Sequence, residues 1–313
     1  MNIKIYDPKD FPAYLPKLNL LYDDLFSGGK GFRSKLIGLM AQHLSLDHKT
    51  QELLSQTIEF IHNASLLHDD LIDRSVLRRG KPAAWNKYSP EYAVLAGDYL
   101  LARVMVNLSG HGNIQLVQYT AQVISDLLEG EWLQDSLVKD MNVELSQLDR
   151  VHNLKTASLF KWCLRAPFIA LQRNEAQLHT TLEEMGTLLG QLFQRSDDLL
   201  DYNIRNNEGK AVLGDLKSGY LNSFAAYASR GLSRDQRERL RACKSMEDFH
   251  VVLGGPGQFE QHVKDFDKMN EFLIQLYSHH LKTFSGYLKD SEKGLISSLS
   301  PLTDILYWRK VSQ

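Results

Sequence analysis

The sequence predicts an all-α protein. Three observations carry that reading: apolar residues recur at steps of three and four along most of the chain, several segments carry helix start and stop signals, and no stretch keeps the period-2 alternation of a strand. Of the 313 residues, 43% are hydrophobic and 24% charged, an ordinary globular balance with enough apolar mass for a sizeable core. A net charge of −2 leaves no basic excess, so nucleic acid is not an expected partner. The two cysteines, Cys163 and Cys243, have no metal-type spacing and fit a reducing compartment. "MNIKIYDPKDFPAYLPKLN" lacks an apolar stretch after a basic start, so no signal peptide is expected and the expected location is cytoplasmic. No apolar run approaches the roughly 20 residues that span a bilayer, so a transmembrane protein is not expected.

The elements follow in order. Leu54, Ile58, Ile61, Ser65 and His68 fall at helical steps. In "SPEYAVLAGDYLLARVMVNLSGHG", Ser89 serves as N-cap, Pro90 takes the first helical position, and the final Gly-rich run stops the helix. Residues 114–138, 144–171 and 175–204 each read as one long apolar helix. Ser233 and Gln236 form a capping box ahead of "RDQRERLRACK", a solvated charged face. Gly-rich breaks fall at 27–31, 205–219 and 254–257. With no shift in composition along the chain, the expectation is one domain over residues 1–313, built from about ten or more helices.

The chemistry lies in two acidic clusters. "HNASLLHDDLIDRSVLRRG" begins at His62 and carries Asp69, Asp70 and Asp73 in a segment otherwise apolar enough to be buried. Positions four apart share a helix face, so Asp69 and Asp73 project together; His62, seven residues earlier, lies on the same stripe. Like charges at that spacing repel by roughly 0.2–0.5 kcal/mol even when exposed, which asks for a compensating cation. "FQRSDDLLDY" repeats the spacing with Asp197, Asp198 and Asp201. One such cluster is ordinarily a solvated acidic patch. Two of them in apolar helices, with Lys30, Arg33, Arg78 and Arg79 near Gly-rich breaks, favour a site for Mg2+ and phosphate. Hard carboxylate oxygens suit Mg2+, and Lys and Arg match phosphate oxygens.

These residues resemble the trans-isoprenyl diphosphate synthases, or polyprenyl synthetases. The resemblance runs from about residue 27 onward through "GGKGFR", "HNASLLHDDLID", "RRGKP", "LAGDYLLA", "EGEWLQ", "KTASLF", "GQLFQRSDDLLDY" and "GKAVLGDL", in the family's order. It implies the isoprenoid synthase fold, a single bundle of helices around a deep central cavity, usually in a homodimer. The implied reaction is head-to-tail condensation of isopentenyl diphosphate with an allylic diphosphate (dimethylallyl, geranyl or farnesyl), with release of pyrophosphate. By the same resemblance, Asp69, Asp70, Asp73, Asp197, Asp198 and Asp201 hold Mg2+, three ions in the family. Lys30, Arg33, His62 and Arg79 match the isopentenyl diphosphate pocket. Arg78, Lys155 and Lys210 match ligands of the allylic diphosphate, and Thr156 and Gln194 match groups near the ionising carbon.

The chain departs from the family pattern at four places. Gly31 stands where the glycine–lysine motif usually has Arg, Ala83 and Trp85 follow "RRGKP" where Thr and then His or Asn are common, and Tyr220 replaces a Lys. Two other functions compete with the synthase. A terpene cyclase of the same fold would need only one substrate, against which the second cluster is D-D-x-x-D and the isopentenyl site is intact. A non-catalytic regulatory subunit would tend to lose the acidic motifs, and both are present.

Product length is read from Ser65, Ala64 and Ile61, which lie four, five and eight positions before Asp69 and climb α-helical turns at about 1.5 Å per residue. In this family the growing chain runs beside that helix, and farnesyl-type members often place an aromatic ring at the first or second of these positions. Ala64 and Ser65 are small, and the two-residue insertion of many bacterial short-chain enzymes is missing. The expectation is a long-chain or geranylgeranyl-type member whose product is at least of geranylgeranyl length. Ile58, Ile61 and Met105 are candidates for the floor.

Overall fold

The computed structural model describes residues 7–26, 31–78, 80–202 and 212–309, without the side chains of 23–25. In chain order its α-helices begin α1 Pro16–Phe26, α2 Phe32–Leu44, α3 His48–Ile72, α4 Ala84–Lys87, α5 Pro90–His111, α6 Ile114–Ser136, α7 Leu145–Lys155 and α8 Ala157–Ala170. They continue α9 Ala176–Leu200, α10 Gly214–Lys217, α11 Ser223–Ala228, α12 Arg234–Arg241, α13 Met246–Val252, α14 Pro256–Ser285, α15 Gly294–Leu299 and α16 Leu302–Tyr307. The strands among the described residues are β1 Leu77–Arg78 and β2 Lys81–Pro82, a two-residue antiparallel hairpin. The all-α class predicted from periodicity is therefore the observed one. Nine helices of eleven residues or more among the described residues make up most of it.

The expected caps are present. Ser89 accepts from Tyr92 N at 3.2 Å with Pro90 in the first turn, and Ser233 and Gln236 cap one another's backbone. At 254–257, Gly254 and Gly255 take φ of 94° and 111°, and Pro256 opens α14. One expectation is corrected. The run 144–171 is two helices, α7 and α8, parted at Thr156. The apolar period continues through the break, so periodicity alone does not reveal it.

By packing, the chain divides into two compact units. The first takes the described parts of Met1–Ser125, Trp162–His179 and Lys289–Leu295. Its central element is α3, which starts at an Asp47 N-cap accepting from Thr50 N at 3.0 Å and packs against α2 and α5. Leu54, Ile58, Phe60, Ile61 and Ala64 on α3 are fully buried, and such aliphatic and aromatic side chains contribute roughly 1.5–3 kcal/mol each on burial. Gly97 lets α5 come close: a Cβ there would meet His68 Nε2 at 2.2 Å. Asp10, also buried, is satisfied by Gln56 Nε2 at 2.7 Å, Arg103 Nε at 2.7 Å and Asn107 Nδ2 at 3.1 Å.

The second unit takes Asp126–Lys161, Thr180–Leu288 and the described part of Ile296–Gln313. Tyr202, Phe224 and Phe266 anchor its core, with ring centroids 4.9 Å and 5.5 Å apart in successive edge contacts. Three glycines, Gly130 and Gly190 from the quoted motifs and Gly186, crowd the backbone at and after the α7–α8 break. A Cβ at Gly130 would meet Lys155 N at 2.9 Å, one at Gly186 would meet Lys161 Cα at 2.6 Å, and one at Gly190 would meet Ala157 Cα at 2.3 Å. Their missing side chains let α6 and α9 press on the backbone at Lys155–Lys161.

Candidate active site

In the first unit, α3 runs straight into the first acidic cluster. Asp69 and Asp70 lie in its last turn and Asp73 is its C-cap. Asp70 is buried, and Arg78 on β1 donates to it from Nε at 2.9 Å and 3.0 Å and again from Nη2. Burial works against the Arg78 charge, yet its pKa is raised by the Asp70 hydrogen bonds and by the charges of Asp70, Asp69 and Asp73. The guanidinium thus serves as counter-ion to the whole cluster. The hairpin that presents it is braced from the far side. Trp85 Nε1 donates to Ser75 O at 2.8 Å, so this departure after "RRGKP" holds the turn by its side chain; Ala83 N donates to Val76 O at 3.0 Å, a main-chain bond that does not depend on the alanine side chain.

Arg33 and His62, 29 residues apart in sequence, come together at 3.2 Å between Nη1 and Nε2. A guanidinium can only donate, so Nε2 accepts and the ring is neutral in this contact. Gly31 precedes them with φ 56°, a left-handed conformation in which a side chain costs roughly 1 kcal/mol or more, and its Cβ would lie 3.2 Å from Ser34 Oγ. An Arg would be strained at that position in this backbone conformation. Ile61 and Ala64 are fully buried; Ser65 is half-buried and returns its hydroxyl to His62 O at 2.9 Å. Lys30 and Arg79 lie outside the described residues.

In the second unit, Asp197, Asp198 and Asp201 all stand on or just after α9. Gln194, one turn earlier, donates from Nε2 to Asp198 Oδ1 at 2.9 Å and accepts the Thr156 hydroxyl on Oε1 at 3.0 Å. Residues 38 apart in sequence are thereby joined to the acidic cluster in one chain of hydrogen bonds. Lys155, the last residue of α7, forms an ion pair with Glu131. Asp198 is buried, which raises its pKa, and Ser223 donates to its Oδ2 from N at 2.9 Å and from Oγ at 2.5 Å. Asp201 is pushed up to about 7 by burial and by the Asp215 charge, against donation from Gly214 N at 2.7 Å and Asp215 N at 3.2 Å. Asp197 accepts from Arg309 at 2.9 Å. Tyr220 puts a hydroxyl where the resemblance implies that many members carry an ammonium. Burial and the charges of Asp198, Asp215 and Glu131 raise its pKa far above the ordinary range, so it stays neutral. Lys210 lies outside the described residues.

Glu131, Asp215, Asn222, Ser223 and Arg309 are the partners that sequence reasoning missed. Glu131 and Asp215 sit inside quoted motifs ("EGEWLQ", "GKAVLGDL") and were legible there as acids without a role. Asn222 donates to Asp215 Oδ2 at 2.9 Å and caps α11, but it, Ser223 and Arg309 belong to no acidic or basic pattern.

The carboxylates suit a hard cation. Among the described residues no three His, Cys, Asp or Glu side chains converge tightly enough to ligate one ion. Mg2+ does not require that, since it usually takes one or two carboxylates and completes its shell with water and phosphate. The raised pKa values of Asp198 and Asp201 mark a surplus of buried negative charge that such a cation would relieve.

A model of the polyprenyl synthetase family matches residues 16–251. The chain belongs to the polyprenyl synthetase family. It is 34% identical to the octaprenyl diphosphate synthase of Escherichia coli over 193 residues, covering 61% of this chain and 59% of that protein. To the human all trans-polyprenyl-diphosphate synthase PDSS1 it is 33% identical over 292 residues, covering 88% of this chain and 67% of the relative. The match thus spans about six tenths to two thirds of these polyprenyl synthetases. In three dimensions the chain is similar to a decaprenyl diphosphate synthase from Rhodobacter capsulatus, with TM-score 0.83, 26% identity, and coverage of 96% and 92% of the two chains. A polyprenyl synthase from Caulobacter crescentus, complexed with calcium and isoprenyl diphosphate, is 26% identical with TM-score 0.74 over 96% of this chain and 90% of that one. The all-α fold is that of these polyprenyl synthetases. No helix among the described residues is long and apolar enough to cross a membrane.

Proposed function

We propose that the protein is a Mg2+-dependent trans-prenyltransferase that condenses isopentenyl diphosphate with an allylic diphosphate. The product is a polyprenyl diphosphate longer than geranylgeranyl, and residues 1–313 act as one catalytic domain. The observation that carries the reading is the Thr156–Gln194–Asp198 chain, which ties the "KT" motif to the second acidic motif by hydrogen bonds of 3.0 Å and 2.9 Å.

On this reading Asp69, Asp70, Asp73, Asp197, Asp198 and Asp201 hold Mg2+, which when bound stabilises the charge developing on the departing pyrophosphate. Arg78, Lys155 and Lys210 bind the allylic diphosphate. Lys155 reaches it by exchanging the Glu131 carboxylate for phosphate oxygens. Gln194 and Thr156 turn their oxygens toward the ionising carbon, where a partial negative charge stabilises a cation. Lys30, Arg33, His62 and Arg79 bind isopentenyl diphosphate, Arg33 by the two-pronged match of guanidinium to phosphate. Burial of Ile61 and Ala64 supports an apolar path for the growing chain that excludes water from the cation. The names of the relatives, octaprenyl and decaprenyl synthases among them, support a long product.

We also propose a homodimer in the cytoplasm. In the first unit Leu95 and Val106 on α5 are 69% and 52% exposed, and in the second Leu128 and Trp132 on α6 are 51% and 77% exposed. Apolar side chains recurring on one helix face suit cover by a second copy.

The test is metal dependence. Turnover should vanish in excess chelator, and Asp69→Ala or Asp197→Ala should lower it by orders of magnitude, since each 1.4 kcal/mol of lost transition-state stabilisation is about tenfold. Near-normal turnover in either variant would contradict the reading.

A further inference from the structure

Helix α2 starts without a cap of its own. Gly31 at its N-cap has no side chain with which to accept from the first turn, so an acceptor for Ser34 N comes from elsewhere. Ser34 N finds one in Glu59 Oε1, at 3.2 Å and 25 residues distant in sequence. Glu59 is a carboxylate at 8% exposure in the middle of α3. A carboxylate so placed is costly unless it is bonded, and the N-terminus of a helix is where negative charge is most welcome.

His62 stands three residues further on, on the same face of α3, and holds Arg33 at 3.2 Å. A single turn of α3 therefore grips the start of α2 twice: by main chain at Ser34 and by side chain at Arg33. The Arg33 carbonyl is met in turn by Cys163 Sγ at 3.8 Å. The peptide that joins Arg33 to Ser34 is thus held at both its N–H and its carbonyl, which fixes the main chain from which the Arg33 side chain reaches His62.

We infer that Glu59 is a positioning residue for the isopentenyl diphosphate site, fixing the first turn of α2 so that Arg33 and His62 meet the diphosphate in one geometry. The identity of the ligand rests on the synthase reading; the grip of α3 on α2 does not. The hydrogen bond, rather than the charge, does the positioning, and two mild substitutions separate them. Glu59→Asp keeps the charge and withdraws the oxygens by about 1.5 Å, one carbon–carbon bond. Glu59→Gln keeps an oxygen acceptor at full reach and removes the charge.

The experiment measures isopentenyl diphosphate binding to the full chain by calorimetry with Mg2+, together with KM for each substrate. Glu59→Asp should weaken isopentenyl diphosphate about tenfold in both Kd and KM, the scale of one hydrogen bond, and move the allylic KM less than about twofold. Glu59→Gln should restore the isopentenyl constants to within about twofold of wild type. The inference is overturned if Glu59→Asp spares isopentenyl diphosphate, if it raises both substrates' KM alike, or if Glu59→Gln is as damaging. A wild type that binds isopentenyl diphosphate but condenses nothing would refute the synthase reading, and the Kd comparison would still decide Glu59. A wild type that does not bind it refutes both.

Discussion

Arg78 grips Asp70 with both carboxylate oxygens engaged, and in doing so fastens the β1–β2 hairpin to the end of α3. The contact joins an exposed strand to a carboxylate that is almost wholly buried. Arg78→Ala should destabilise the fold by about 1–2 kcal/mol. That is below the range for a broken buried pair, because the guanidinium side chain is 40% exposed and partly screened. Arg78→Lys should recover only part of this, since an ammonium does not fit the two-pronged geometry. Urea unfolding of the metal-free protein measures both; equal stability of Arg78→Ala and wild type would contradict the assignment.

The two diphosphates should separate kinetically. Arg33→Ala should raise KM for isopentenyl diphosphate tenfold or more, the order of one charged hydrogen bond, and leave the allylic KM nearly unchanged. Lys155→Ala should chiefly affect the allylic partner and its ionisation. Steady-state kinetics with each substrate varied in turn decides it, and an Arg33→Ala whose defect is confined to the allylic substrate would reverse the proposed pockets.

His152 provides a pH dependence. It is buried with Nε2 3.9 Å from Asp198 Oδ2. Burial lowers its pKa from 6.5 to about 4; the Asp149 charge opposes this and the Arg195 charge adds to it. The folded ring stays neutral while the unfolded chain takes up a proton near 6.5. The stability it contributes is therefore full above pH 6.5 and lost as pH falls toward 4. His152→Gln removes that loss, so its stability should decline less than that of wild type between those limits. Urea midpoints of the metal-free proteins at about pH 7.5 and about pH 4.5 test this; parallel declines would contradict it.

Much of this was legible in the sequence. Apolar period and the caps at Ser89 and Ser233 predict helices correctly, because both signals are local. The resemblance groups Arg33 with His62, and Thr156 with Gln194, without saying that they touch; in both pairs the side chains meet. The break at Thr156 was hidden because its cause is tertiary: Gly130 and Gly190, 26 and 34 residues away, let neighbouring helices press on that backbone. Ser223 and Arg309 were hidden for a related reason. A backbone N–H and a serine hydroxyl can satisfy a buried carboxylate from any part of the chain, and nothing local distinguishes that serine from a surface one. Of the residues that read as departures from a pattern, Gly31 sits at a positive φ and Trp85 donates an indole hydrogen bond.

Product length should respond to the small residues of α3. Ala64→Phe or Ser65→Phe should shorten the product, because a ring and a prenyl chain cannot share the same volume at core packing density. Chromatography of the dephosphorylated products measures it. An unshortened distribution from both variants would show that Ile61, Ala64 and Ser65 do not set the length.

The central claim is the condensation itself. The most direct measurement incubates the purified chain with Mg2+, isopentenyl diphosphate and each of dimethylallyl, geranyl and farnesyl diphosphate, and identifies the products. The account predicts release of pyrophosphate and a trans-polyprenyl diphosphate longer than geranylgeranyl, formed only when both substrates are present. A hydrocarbon formed from the allylic diphosphate alone, or no product with any primer, would contradict it.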